Sequence, residues 1–112
     1  MKKQDIKESE IDKINSSLWE SRYNDPAPEI SYVSSILEKA INADYQKGIA
    51  YARLNIAACS FLKSKNDIAI ENLSEALKWF TNNPNEPGYS RALNLKGNLY
   101  ESFGDYEKAL QL

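Results

Sequence analysis

The 112-residue chain has no histidine, one cysteine and one methionine, and no apolar run near the roughly 18 residues a membrane span requires. Without histidine it lacks the commonest general base, the commonest zinc ligand and any Ser-His or Cys-His nucleophile pair. No glycine-rich phosphate loop, Walker motif or metal-spaced cluster takes their place, so neither a catalytic site nor a cofactor is expected. The lone cysteine, Cys59, excludes an internal disulfide and fits a reducing cytoplasm. Charge of one sign is scarce too. Fourteen basic against sixteen acidic residues leave a net −2, which supports neither nucleic acid nor an anionic membrane as partner, since both need a concentrated basic face. Met1-Lys2-Lys3 leads into polar residues rather than an apolar stretch, so no signal peptide is expected.

What remains is ordinary for a soluble domain: 42% apolar and 27% charged residues, in a length that suits one domain with a modest core. The four prolines and four glycines punctuate. Asp25-Pro26-Ala27-Pro28 breaks one helical pattern and starts another, and Asn82-Asn83-Pro84-Asn85-Glu86-Pro87-Gly88 is a loop. Between these marks the apolar spacing is helical, as in Ile11, Ile14 and Leu18, in Ile30, Val33, Leu37, Ala40 and Ile41, and in Ala69, Leu73, Leu77 and Phe80. Strict alternation over a strand's length is absent. The chain is expected to be all-α, with helices at about 6–23, 28–43, 46–64, 67–82, 87–103 and 105–112.

The chain repeats itself. A shift of 39 places Leu54-Asn55-Ile56-Ala57-Ala58-Cys59-Ser60-Phe61 on Leu93-Asn94-Leu95-Lys96-Gly97-Asn98-Leu99-Tyr100, and a shift of 40 places Ala69 on Ala109. A small residue (Ala58, Gly97) lets a second helix approach, and the aromatic one turn on (Phe61, Tyr100) fills the space beside it. Gly104-Asp105 is placed to end one helix and cap the next. This pattern, with Gly104-Asp105-Tyr106 and Ala109 after it, resembles the tetratricopeptide repeat, whose basic unit is about 34 residues. The longer period resembles the long-helix variant of kinesin light chains and bacterial signalling proteins, and Asp44…Lys47-Gly48-Ile49-Ala50 looks like that variant's bridge.

The resemblance implies an α-α superhelix that binds other proteins. Residues 44–82 would form one repeat, with Ala58, Phe61, Ala69 and Ala76 as its signature. Residues 87–112 would form another, cut short in its second helix, with Gly97, Tyr100, Gly104, Tyr106 and Ala109. Residues 6–43 would be a degenerate repeat or a capping hairpin, because Leu18-Trp19…Tyr23 does not fit the small-x-x-aromatic register. Leu112 falls mid-pattern, so the chain is expected to be the N-terminal part of a longer cytoplasmic, bacterial signalling protein.

In such repeats the first helices line a concave surface. That implies a partner-binding face of Asn55, Cys59 and Leu62 on one repeat and Arg91, Asn94, Asn98 and Glu101 on the next, spaced to share a helix side. A peptide or helix from a partner, or from the protein's own output domain, is the expected ligand, and asparagine amides suit a peptide backbone. Plain solvated polar positions are the alternative. Some relatives clamp acidic C-termini with several cations, but here only Arg91 and Asn98 fit. Cys59 has no neighbouring cation in sequence and reads as a packing residue. Glu71, Glu75 and Lys78 read as a charged solvated face. Asn15-Ser16-Ser17 and Asn72-Leu73-Ser74 are chance sequons within helices. Adjacent Trp79 and Phe80 cannot share a side, so one is expected to meet another layer or lie partly exposed. A homo-oligomer through the last repeat is a second expectation, and a helical enzyme using carboxylates or lysines a remote third.

Overall fold

A computed structural model describes residues 6–111, with side chains through Gly104. It contains five helices: α1 (Glu8–Ser21), α2 (Ile30–Asn42), α3 (Gln46–Leu62), α4 (Asn66–Phe80) and α5 (Pro87–Gln111). No strand occurs among the described residues. The first four helices start and stop within about four residues of the expected positions. Each carries one buried stripe, with Ile11, Asn15 and Leu18 on α1, Val33, Ile36 and Ala40 on α2, and Ala69, Leu73, Ala76 and Phe80 on α4.

The third helix is different, because every residue from Leu54 to Ser60 is buried. A helix hidden all round must be touched from several sides, and α3 contacts all four of the others. Its small residues make this possible. Ala57, Ala58 and Ala50 join Leu54 in one cluster with Ala69, Leu73, Ala76 and Phe80 of α4 and Ala92, Leu95 and Leu99 of α5. On the opposite side Ile56 and Cys59 meet Leu18 of α1 and Val33 and Ile36 of α2. Fully burying aliphatic side chains of this size contributes about 1.5–3 kcal/mol each.

The α2–α3 and α3–α4 turns share one geometry. Asp44 and Ser64 adopt left-handed φ values of 52° and 62°. The following residue then donates back to the preceding helix, Tyr45 to the Ala40 carbonyl at 3.0 Å and Lys65 to the Ser60 carbonyl at 2.8 Å. Gly104 lies 40 residues after Ser64, yet the expected turn there is not made. α5 runs unbroken from Pro87 to Gln111 instead of forming helices over 87–103 and 105–112. The turn at Ser64 is held because α4 buries Ala69, Leu73 and Ala76 beyond it. Continuing α5 through Gly104 instead adds one backbone hydrogen bond per residue.

The start of α5 is fixed by a close approach. A Cβ on Gly88 would collide with the Phe80 ring. That ring is wholly buried and wedged edge-on between Tyr51 and Trp79, at centroid distances of 5.0 and 5.3 Å. Trp79 itself is half-buried. Gly88→Ala should therefore destabilise the fold by about 1–3 kcal/mol in a denaturant melt, since the ring has nowhere to move. Ser60 presents the reverse case. Its hydroxyl is buried without a hydrogen-bond partner among the described residues. Ser60→Ala should raise stability by about 1 kcal/mol in the same melt, because the unsatisfied group disappears.

Candidate functional site

α1 and α5 flank α3 and leave a groove between them, floored by α3. Three stripes line it, and helical periodicity produces each. From α1 come Asp12, Ser16 and Trp19, and from the turn just after it Arg22 and Tyr23. Pro87, Arg91, Asn94 and Asn98 face them from α5, while Lys47, Tyr51, Ala58 and Leu62 contribute from α3.

The two ends of the groove differ chemically. One end, about 230 Å³, is closed by internal bonds. Tyr45 donates its hydroxyl to both carboxylate oxygens of Asp12 at 2.9 Å, tying the start of α3 to α1. Tyr51 donates to Glu86 Oε1 at 2.9 Å and accepts the Gly88 N–H at 3.0 Å, tying α3 to the entry of α5. Lys47 lies 3.8 Å from the same Glu86 oxygen. Burial, and then donation to Asp12, pushes the Tyr45 phenol well above its ordinary range. Burial likewise pushes Tyr51 up to about 12; the Gly88 N–H opposes this and the Glu86 carboxylate adds to it.

The other end, about 390 Å³, is basic and aromatic. The Arg22 guanidinium carbon sits 3.7 Å from the centre of the Trp19 ring and 4.5 Å from that of Tyr23. Arg91 approaches the same indole at 5.1 Å. Such stacking fixes the orientation of a guanidinium and leaves most of its N–H donors free. One of them, on Arg22, is taken by the Trp19 carbonyl at 2.6 Å. Among the described residues neither arginine pairs with a carboxylate, and no acidic residue lines this end. Asn94 and Asn98 stand beside Arg91, and Phe61, Leu62 and Leu95 supply an apolar wall.

Of the expected concave residues, Leu62, Arg91, Asn94 and Asn98 come together here. Glu101 is exposed one turn beyond Asn98, outside the groove lining. Asn55 and Cys59 require correction. Asn55 is 3% exposed, and its amide donates to the Asn15 carbonyl at 3.0 Å, while Asn15 donates to the Gly48 carbonyl at 3.2 Å. Cys59 is equally buried, and that burial raises its thiol pKa against the pull of Lys63 and Arg22. The cause is α1, which lies across this side of α3 and takes its polar positions for itself. Both sequon asparagines are consumed internally, since Asn72 accepts from Arg53 and donates to the Ile68 carbonyl.

The repeat-signature residues divide in the same way. Ala58, Ala69 and Ala76 are buried between α3, α4 and α5, with Phe61 packed at their edge. Gly97 and Tyr100 instead lie on an open side of α5, where a Cβ at 97 would meet nothing within 4 Å and Tyr100 is 65% exposed. The close helix approach expected at Gly97 is therefore not made by any described residue, because α5 continues past Gly104 rather than turning back. The side chains of Tyr106 and Ala109 fall outside the described residues.

Sequence reasoning missed Trp19, Arg22 and Tyr23. They lie in the hairpin that does not align with the repeat, but Asp12, Ser16 and Trp19 recur at four and three and could have been recognised as a second face of α1, with Arg22 and Tyr23 following it.

A family model of the tetratricopeptide repeat matches residues 48–112, so the chain belongs to the tetratricopeptide-repeat family. Proteins of this family generally mediate protein–protein interaction. No curated protein and no solved structure matches the chain. No helix among the described residues is long and apolar enough to cross a membrane, and those residues hold no cluster suited to a metal ion.

The elevated tyrosine pKa values carry a sign. A phenol whose pKa rises from about 10 in the unfolded chain to about 12 when folded stabilises the fold fully below pH 10. That contribution is lost as pH climbs through 12, and Tyr45 acts in the same direction. Urea midpoints should fall between pH 10 and 12, and Tyr51→Phe should fall less over that window while being less stable at pH 7 by about 1 kcal/mol. Equal slopes for the two proteins would show that Tyr51 titrates freely.

Proposed function

We propose that the chain is a protein-interaction module whose groove between α1 and α5 holds an acidic polypeptide segment, extended or helical. The observation that carries this reading is the pair of guanidinium groups stacked on Trp19, neither paired with a carboxylate among the described residues of a chain whose net charge is negative. A carboxylate from a partner would meet oriented N–H donors there, and charge-assisted bonds of this kind are the stronger ones. Asn94 and Asn98 would pair with the segment's backbone, whose donors and acceptors an amide can match together. Phe61, Leu62 and Leu95 would take an apolar neighbour of the acidic residue. The partner is another protein or an output domain linked to this module, in cytoplasmic signalling of the kind the family resemblance implies. The reading assigns the chain no catalytic step.

Fluorescence anisotropy tests this with three labelled peptides of equal length and matched apolar content: one rich in glutamate, one neutral, one rich in lysine. The glutamate peptide should bind the wild-type chain best, and Arg22→Gln or Arg91→Gln should weaken it at least about tenfold, the loss expected for one charge-assisted bond. Lys65→Gln, on the exposed α3–α4 turn away from the groove, should change binding little. Equal binding of the acidic and neutral peptides would leave groove binding intact and reject the charge preference. Failure of all three would reject groove binding of an exposed peptide.

A further inference from the structure

The basic end of the groove concentrates more positive charge than one carboxylate can compensate. Arg22 and Arg91 are both partly buried, and both stack on the Trp19 ring, 3.7 and 5.1 Å from its centre. Their guanidinium carbons therefore lie no further apart than those two distances together. A carboxylate can accept both bonds of one guanidinium fork, yet it brings a single negative charge to two cations.

The adjoining end disfavours a run of several acidic residues. Arg91 lines both ends, so the two cavities are continuous through it. The second cavity presents the carboxylates of Asp12 and Glu86. Lys47 stands 3.8 Å from Glu86, but Asp12 has no ion pair among the described residues. Further acidic residues of a bound segment would meet like charge there. The charge that suits this groove is double and confined to one point.

We propose that the group held between Arg22 and Arg91 is a phosphorylated side chain of a partner polypeptide. This rests on the groove binding set out above and names the group the groove takes. A phosphomonoester carries about −1.5 to −2 charges at pH 7 and three acceptor oxygens around one phosphorus. It can accept from a guanidinium on each side, at about 2.7–2.9 Å, and compensate both charges. Asn94 and Asn98 add amide donors beside Arg91.

The absence of histidine makes such a ligand readable by pH. The titratable side chains lining this end are Arg22 and Tyr23 beside α1 and Arg91 on α5, and on α3 the buried Cys59 feels both Arg22 and Lys63. No carboxylate or imidazole stands among them. A phosphomonoester takes its second proton at about pH 6, whereas glutamate titrates at about 4.3. Between pH 7 and 5 the charge that changes at this end is the ligand's.

Fluorescence anisotropy on the full chain tests this with labelled peptides that differ at one site: phosphoserine, phosphotyrosine, one glutamate, two adjacent glutamates, or serine. The tighter-binding phosphopeptide should exceed the single-glutamate peptide at least about tenfold, the gain expected of one more charge-assisted bond. Arg22→Gln or Arg91→Gln alone should erase that preference, since a double charge needs both cations. From pH 7 to 5 the phosphopeptide should weaken about fivefold, while the glutamate peptides stay nearly level. The pH series uses only the wild-type chain, so it stands whether or not the variants fold. A phosphopeptide that binds no better than one or two glutamates, or whose affinity is flat over this range, overturns the inference. If glutamate still exceeds serine in that event, the acidic preference of the groove survives; equal binding of all five peptides rejects both.

Discussion

Everything in this molecule depends on the middle of α3, from Leu54 to Ser60, being hidden on all sides. A helix at the centre of four others must offer each a surface close enough for van der Waals contact, and large side chains in every direction would hold the neighbours apart. The run Ile56-Ala57-Ala58-Cys59-Ser60 meets that constraint with mostly small residues. One side admits α4 and α5 and the other admits α1 and α2, giving two clusters that share a single rod. The groove follows directly, since α1 and α5 are held at a separation set by the helix between them.

Two polar devices fix that separation further. Asn15 and Asn55 donate side-chain amide hydrogen bonds to backbone carbonyls between α1 and α3, where apolar contacts alone would allow sliding. At the other flank the Tyr51 hydroxyl is at once donor to Glu86 and acceptor from Gly88. Hydrogen bonds of this kind are modest in net energy but costly to leave unmade, so they act as registers more than as glue. With backbone positions set on both flanks, Trp19 and Arg91 meet across the groove at a defined distance instead of by chance.

The all-α architecture and the helix order were legible in the sequence because apolar spacing and proline-glycine punctuation report local structure, and both act here over long, strongly periodic segments. Arg91, Asn94 and Asn98 were legible as one face for the same reason. Asn55 and Cys59 were not, because whether a helix side is groove or interface depends on a neighbour distant in sequence, and α1 carries no repeat signature to announce itself. Asn55 matches Asn94 by internal alignment, yet one lies beneath α1 and the other faces solvent. Gly104 shows a second limit. Its serine counterpart makes the turn while glycine, the better turn former, stays helical, because the cost of turning is met by what packs afterwards and not by the residue at the corner.

The first helix holds two instructions in one stretch of chain. Ile11, Asn15 and Leu18 face inward, while Asp12, Ser16 and Trp19 face the groove, each one position later than its inward neighbour. Substitutions along the second series can change what the groove accepts and leave the first untouched. A single-residue insertion late in α1 would rotate the preceding turns by one position and bring groove residues such as Asp12 and Ser16 onto inward positions. Selectivity in this module is thus free to drift by replacement and closed to change in length.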